Sequence, residues 1–189
     1  MIKNTPTLPV SLREHSEAPV APVIETARLV LRGHLVEDFP ECAGMWADAE
    51  VTRHIGETRT AAETWAAMRS HAGQWALLGY GYWVVEDKAT SRTIGEVGFG
   101  SFMRDIVPPI DDMPEAGWVL ARWAHGKGYA TEAVKAALCW ADAHFEAGHK
   151  TVCIIREQHA ASLRVAEKCG YREYARTTFN GAPNILLRR

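Results

Sequence analysis

The chain has no run of apolar residues approaching the about 18 that a membrane-crossing helix needs, and its first residues hold no apolar block of the secretory kind. Cysteine is sparse. The four, at 42, 139, 153 and 169, are too widely spaced for a zinc knuckle or a redox dithiol, which predicts free thiols and a cytoplasmic protein. Neither sign of charge dominates. The 21 basic residues are scattered among 23 acidic ones, so there is no basic stripe for nucleic acid and no patch for an anionic membrane. Eight histidines are present, none in a His-x-x-x-His or Cys/His spacing, and no metal is expected. What remains is an ordinary globular balance, 47% hydrophobic and 23% charged, in 189 residues that suit one domain with its own core.

Four prolines among small and charged residues between Thr5 and Val23 predict an N-terminal arm over residues 1–24, with the folded unit occupying 25–189. The run Ala27-Arg28-Leu29-Val30-Leu31-Arg32 alternates as a strand does. A helix is expected from Asp38-Phe39-Pro40 through Trp46, and a second over 61–77, stopped by Gly79 and Gly81. Runs rich in β-formers at 82–86, 93–99 and 117–121 predict an antiparallel meander, with a Pro-rich loop over 103–114. Ala130, Ala133, Val134, Ala137, Leu138, Ala141 and Phe145 form one helical stripe. A buried-type strand at 151–155, a short helix at 160–169 before Gly170, and a last strand at 185–187 complete an α+β, or mixed α/β, order. Trp46, Trp65 and Trp75 could line a cleft, but at helical spacing they read as core.

The segment from Glu115 to Ala133 carries the chemistry. A strand runs into a turn holding Gly126 and Gly128, and the turn runs into an amphipathic helix. The first amides of a helix have no internal acceptor and lie at its positive end, so a glycine-lined approach there suits a phosphate. A P-loop would need Ser or Thr after Lys127, where Gly128 stands, and a dinucleotide fingerprint would need a third glycine where Thr131 stands.

The run Gly-Trp-Val-Leu followed by Gly-Lys-Gly-Tyr-Ala-Thr-Glu-Ala resembles the coenzyme-binding motif of the GNAT acetyltransferases, and most of all that of their RimJ/RimL-like branch. The run from Ala27 to Arg32 is similar to that branch's opening strand, Ile94-Gly95-Glu96-Val97-Gly98 to its middle strand, and Ala161 to Tyr171 to its last helix and stop, in the same order. The resemblance implies a single GNAT-type domain with a central, mostly antiparallel sheet flanked by helices. It implies acetyl transfer from acetyl-CoA to a primary amine, on a small molecule or a protein N-terminus, by direct attack in a ternary complex, in a monomer or homodimer. Val119, Leu120 and Ala121 would pair with the pantetheine. His125, Gly126, Lys127, Gly128, Tyr129, Ala130 and Thr131 would cradle the pyrophosphate, and His159 would stand where the family has an Asn that reaches the coenzyme. The family's frequent Gln or Arg before the first glycine is Trp123, and its frequent tyrosine acid is Ala166.

Deprotonating a lysine amine at neutral pH costs roughly 3 kcal/mol more than an α-amine, so a carboxylate base is expected. Glu115, at the start of the coenzyme-pairing strand, matches the position where the family often carries it; Glu96, on the neighbouring strand, is the other candidate. Ser162 is a candidate donor to the departing thiolate, and Glu132, in the first turn of the phosphate helix, reads as structural. Asp105, Asp111 and Asp112 suggest an acidic rim that draws in a cationic acceptor. Two alternatives stand beside this reading: an acyl-CoA-binding protein without turnover, and an enzyme using another donor such as succinyl-CoA, whose acyl end Arg53 or Arg104 could face.

Overall fold

The computed structural model describes residues 21–189, so the proline-rich arm lies, up to residue 20, outside the described residues. Its last residues already belong to the fold: the Pro22 carbonyl accepts a 2.8 Å hydrogen bond from Trp83 Nε1, and strand β1 begins at Ile24. The elements that follow are β2 (Leu29–Arg32), α1 (Phe39–Trp46), α2 (Ala49–Thr52), α3 (Ala61–Leu78), β3 (Tyr82–Asp87), β4 (Arg92–Gly100), β5 (Glu115–Leu120), α4 (Tyr129–His144), β6 (Val152–Arg156), α5 (Ala160–Lys168), β7 (Arg172–Phe179) and β8 (Ala182–Arg188). They form an eight-stranded sheet in the order β1-β2-β3-β4-β5-β6-β8-β7, antiparallel throughout except for β5 beside β6. The mixed α/β class and the mostly antiparallel sheet agree with the expectation from sequence.

Local chemistry explains the helices that position the site. Thr60 Oγ1 accepts from the Glu63 amide and Glu63 accepts from the Thr60 amide, a reciprocal cap that starts α3. In α4 the stripe Ala133, Val134, Ala137, Leu138 and Ala141 is buried, and its small side chains let the helix lie close against β2, β4 and β5. Glu132, at the start of α4, accepts from Thr26 Oγ1 at 2.7 Å, from the Arg28 amide at 3.0 Å and from Arg28 Nε at 2.7 Å. This ties α4 to the loop before β2, in the structural role read for Glu132.

Strand alternation then separates two faces. Val97 and Phe99 of β4 point into the main core with α4, Leu120 and Trp75. Glu96, one residue before Val97 and so out of phase with both, points to the other face, where Trp46 of α1 and His71 of α3 meet it. Three elements were missed in the sequence: β1, the one-turn α2, and the edge strand β7.

Candidate functional site

β5 and β6 share a single bridging pair, Glu115 with Val152, next to a 3.1 Å bond from the Val152 amide to the Pro114 carbonyl. Beyond it the strands part, leaving one edge of β5 open. The Ala121 amide donates to the Ile94 carbonyl at 2.8 Å, so by alternation Ala121 and Val119 turn their backbone groups toward β4. Trp118 and Leu120 turn theirs to the opening, where His125 Nε2 bonds the Leu120 carbonyl at 2.8 Å. Of the three residues expected along a pantetheine, Leu120 turns its backbone groups to the opening, while Val119 and Ala121 turn theirs to β4.

At the end of β5 a 3-10 turn leads to Gly126 and Gly128, at φ +75° and +81°. A Cβ built on Gly126 would meet nothing within 4 Å, so the protein's own demand for glycine here is conformational, not steric. The amides of Gly126, Lys127, Gly128, Tyr129, Ala130 and Thr131 have no acceptor among the described residues; the first bond of α4 runs from the Glu132 amide to the Gly128 carbonyl. The structure thus presents consecutive unpaired donors at the positive end of a helix, an anion site by construction. His125 is a correction, because its amide already donates to the Arg122 carbonyl at 3.1 Å. Lys127 stands outside the turn with Nζ 5.7 Å from the Trp123 ring centre.

The opening continues into a cleft of about 340 Å³ that reaches the α1–α3 face. Glu115, Glu96, Ser162 and His159 all line it. The two glutamates are not interchangeable: Glu96 lies opposite Val119 and Glu115 opposite Gly100, four positions apart along β4. Both oxygens of Glu115 are held by the Arg104 guanidinium, one of them by Nη2 at 2.7 Å. Glu96 is 1% exposed and accepts three bonds, from Trp46 Nε1 at 2.7 Å, His34 Nε2 at 2.7 Å and His71 Nδ1 at 3.2 Å. Burial alone would raise its pKa, but the two imidazoles overcome that and hold the carboxyl well below the usual range.

A carboxylate can only accept, so the ring nitrogens facing Glu96 carry protons, and any lone pair His71 offers lies on Nε2. That nitrogen has no hydrogen-bond partner among the described residues, and His71 lines the cleft with its ring stacked 4.5 Å from that of Tyr82. Tyr82 lies flat across β5, its hydroxyl only 2.1 Å from where a Gly117 Cβ would stand, so no larger residue fits there. The ligating atoms of His34, His71 and Glu96 all lie within 4.8 Å of one another, close enough to hold a metal ion. Only Glu96 of this cluster stood out in the sequence, because its members come from the loop after β2, from α3 and from β4.

At the other wall, His159 caps no amide of α5; its ring stacks 4.7 Å from that of His54, and its Nε2 lies 3.4 Å from Ser162 Oγ. Burial, with help from His54 and His125, pushes the His159 pKa from 6.5 to about 4, so the ring is neutral at pH 7. Ala166 is fully buried in the main core. Of the three tryptophans on the early helices, Trp46 lines the cleft, Trp75 is core and Trp65 is 36% exposed. Asp105, Asp111 and Asp112 do not line the cleft; Asp105 borders a separate depression beside Arg176 of β7. The acidic rim expected from sequence is therefore corrected, since the loop carries those side chains away from the opening.

The sheet with its parted parallel pair is the fold of acetyltransferase structures. A protein described as a GnaT-family acetyltransferase from Bordetella pertussis superposes with a TM-score of 0.78 at 30% identity, over 89% of this chain and 99% of that one. The ribosomal L7/L12 α-N-protein acetyltransferase RimL, solved with coenzyme A, shares the fold at a TM-score of 0.71 and 15% identity, over 89% of this chain and 97% of its own. YkkB of Bacillus subtilis strain 168 is 38% identical over 104 residues, which are 52% of this chain and 55% of YkkB, so the match spans about half of that relative. The chain belongs to the GNAT acetyltransferase family, whose domain model matches residues 28–172. That family is a class of acyl-CoA-dependent N-acetyltransferases.

Proposed function

We propose that this chain transfers the acetyl group of acetyl-CoA to a primary amine bound on the α1–α3 face of the cleft. The observation that carries the reading is the row of unpaired amides from Gly126 to Thr131, set at the end of an open strand edge that leads to a buried carboxylate–imidazole pair. These residues fit the coenzyme: the amides suit a pyrophosphate, and the β5 edge at Trp118 and Leu120 suits the amide groups of a pantetheine arm. When bound, the coenzyme supplies an activated thioester.

The chain's own residues then have distinct tasks. His71 Nε2 takes the proton of the attacking amine, and Glu96, ionised and anchored by Trp46 and His34, fixes the tautomer of His71 and stabilises its cation. Glu115, locked to Arg104, shapes the far wall of the cleft and is not the base. Ser162 Oγ, beside a neutral His159, can donate to a thiolate, whose ordinary pKa of about 8.5 demands only modest help. An α-amine is the favoured acceptor, since with a pKa of about 8 it is more readily deprotonated near neutral pH than a lysine amine at about 10.4.

Release of free CoA from acetyl-CoA in the presence of a panel of α-amines and lysine-like amines tests the proposal. Amine-dependent release is expected, together with an acetylated product 42 Da heavier, roughly the mass that one acetyl adds at one nitrogen. Tight acetyl-CoA binding with no release for any amine would leave a binding protein without turnover.

A further inference from the structure

The charges of the cleft do not balance, and the imbalance falls on its arginines. Glu96 is met by His34 and His71, and Glu115 by Arg104. Arg59 also lines the cleft, yet no carboxylate of the described residues lies within 4.0 Å of it. Its placement is built. The Arg59 amide donates to the Trp46 carbonyl at 3.0 Å, and the guanidinium lies 3.5 Å above the centre of the Trp46 ring, a cation–π seat that fixes its plane. Its Nη1 is nevertheless buried without an acceptor, and burial pushes its pKa down.

A buried charged donor left unpaired is costly, and a planar guanidinium matches a carboxylate in two parallel bonds. Arg156, the other cleft arginine without a carboxylate, differs, since its Nη1 reaches the Arg53 carbonyl at 3.4 Å. Arg59 is linked through Trp46 to Glu96, and through Glu96 to His71, so the cation and the base lie within the length of one small molecule.

We propose that Arg59 binds a carboxylate carried by the acceptor, which makes the acceptor an amino acid or a molecule ending in one, with its amine presented to His71. This rests on the acetyl-transfer reading above and names its substrate class. It reverses the charge preference expected from the loop aspartates, because those side chains are outside the cleft while Arg59 is in it.

The test uses the full chain with two paired probes: a set of α-amino acids and small peptides against their C-terminal amides, and acetyl-CoA against succinyl-CoA. CoA release gives kcat and KM, and calorimetry with free CoA present gives acceptor binding without turnover. Carboxylate-bearing acceptors should beat their amides by roughly 30-fold or more in kcat/KM, because a site built for a hydrogen-bonding group rejects the analogue that lacks it. Arg59→Gln should erase that preference by raising KM and weakening calorimetric binding, with little change in kcat or in acetyl-CoA affinity; Arg59→Lys should keep part of it. Equal use of acids and amides by the wild type overturns the proposal. So does a preference for succinyl-CoA that Arg59→Gln abolishes, since the cation would then read the donor. Failure of the wild type to bind acetyl-CoA at all would instead strike the acetyl-transfer reading, and calorimetry separates the two.

Discussion

Replacing Glu96 by Gln exchanges one oxygen for an NH2 group in a buried site, and the outcome follows from counting donors. In the wild type three N–H groups converge on one carboxylate, the two imidazoles on Oε1 and Trp46 on Oε2. An amide has one accepting oxygen. If that oxygen faces the histidines, its NH2 opposes the Trp46 N–H; if it faces Trp46, the NH2 forces His71 to accept at Nδ1 and to carry its proton on Nε2, on the cleft side. The first arrangement strands a buried donor at about 1–3 kcal/mol, and the second turns the base into a donor. Stability should therefore fall by roughly 2 kcal/mol, while kcat/KM falls by about two to four orders of magnitude, the usual worth of general base catalysis. CoA release measured across pH reads the second effect. His71→Gln should lose the same factor, and the double variant should be little worse than either single one. A Glu96→Gln protein that is folded and retains wild-type kcat/KM and pH profile would refute the relay.

Other outcomes follow from the same contacts. Glu115→Gln should cost on the order of 2 kcal/mol by unpairing a largely buried Arg104, and Arg104→Gln in the same chain should recover much of that loss, a rescue that a catalytic base would not show; chemical denaturation of the four proteins checks it. His159 is held neutral with its pKa near 4 in the fold against 6.5 free, so the unfolded chain takes up the proton first and stability falls as pH drops from about 6.5 toward 4. His159→Asn should flatten that part of the melting-temperature profile and, by supplying a better cap to α5, raise the plateau at pH 7 slightly. Glu96 has the opposite chemistry and the same slope: its depressed pKa gives stability that is complete above its ordinary value near 4.5 and is lost below it, so Glu96→Gln should lessen acid unfolding at lower pH than His159→Asn does.

The parts of this fold that were legible in the sequence are those with a single dominant periodicity. The stripe from Ala130 to Ala141 announces α4, and the runs around Val84, Val97 and Ile154 announce strands buried on both faces. β7 was not legible, because Arg172, Glu173, Arg176 and Thr178 make it polar and half-exposed at the sheet edge, where β8 alone pairs with it. The phosphate-type turn was readable since its glycines and helix are contiguous. The acid–base group was only partly so. Glu96 stood out on its strand, but His34 and His71 became its partners through tertiary packing, across sequence separations of 62 and 25 residues. Arg59 gave no local signal either, since its meaning depends on the Trp46 ring beneath it.

In the proposed acetyl transfer, backbone amides at the start of α4 hold the coenzyme. Gly126→Ala tests it with little else disturbed: the added Cβ meets no protein atom within 4 Å, and the left-handed φ of +75° makes the turn resist it by about 1–2 kcal/mol locally. Acetyl-CoA should be titrated calorimetrically into the wild type and into Gly126→Ala, with far-UV circular dichroism as the control for folding. The account predicts one site per wild-type chain and an affinity at least roughly tenfold weaker in the variant, a loss of about 1.4 kcal/mol or more, with unchanged dichroism. No binding to the wild type, or the same affinity in both proteins, would contradict it.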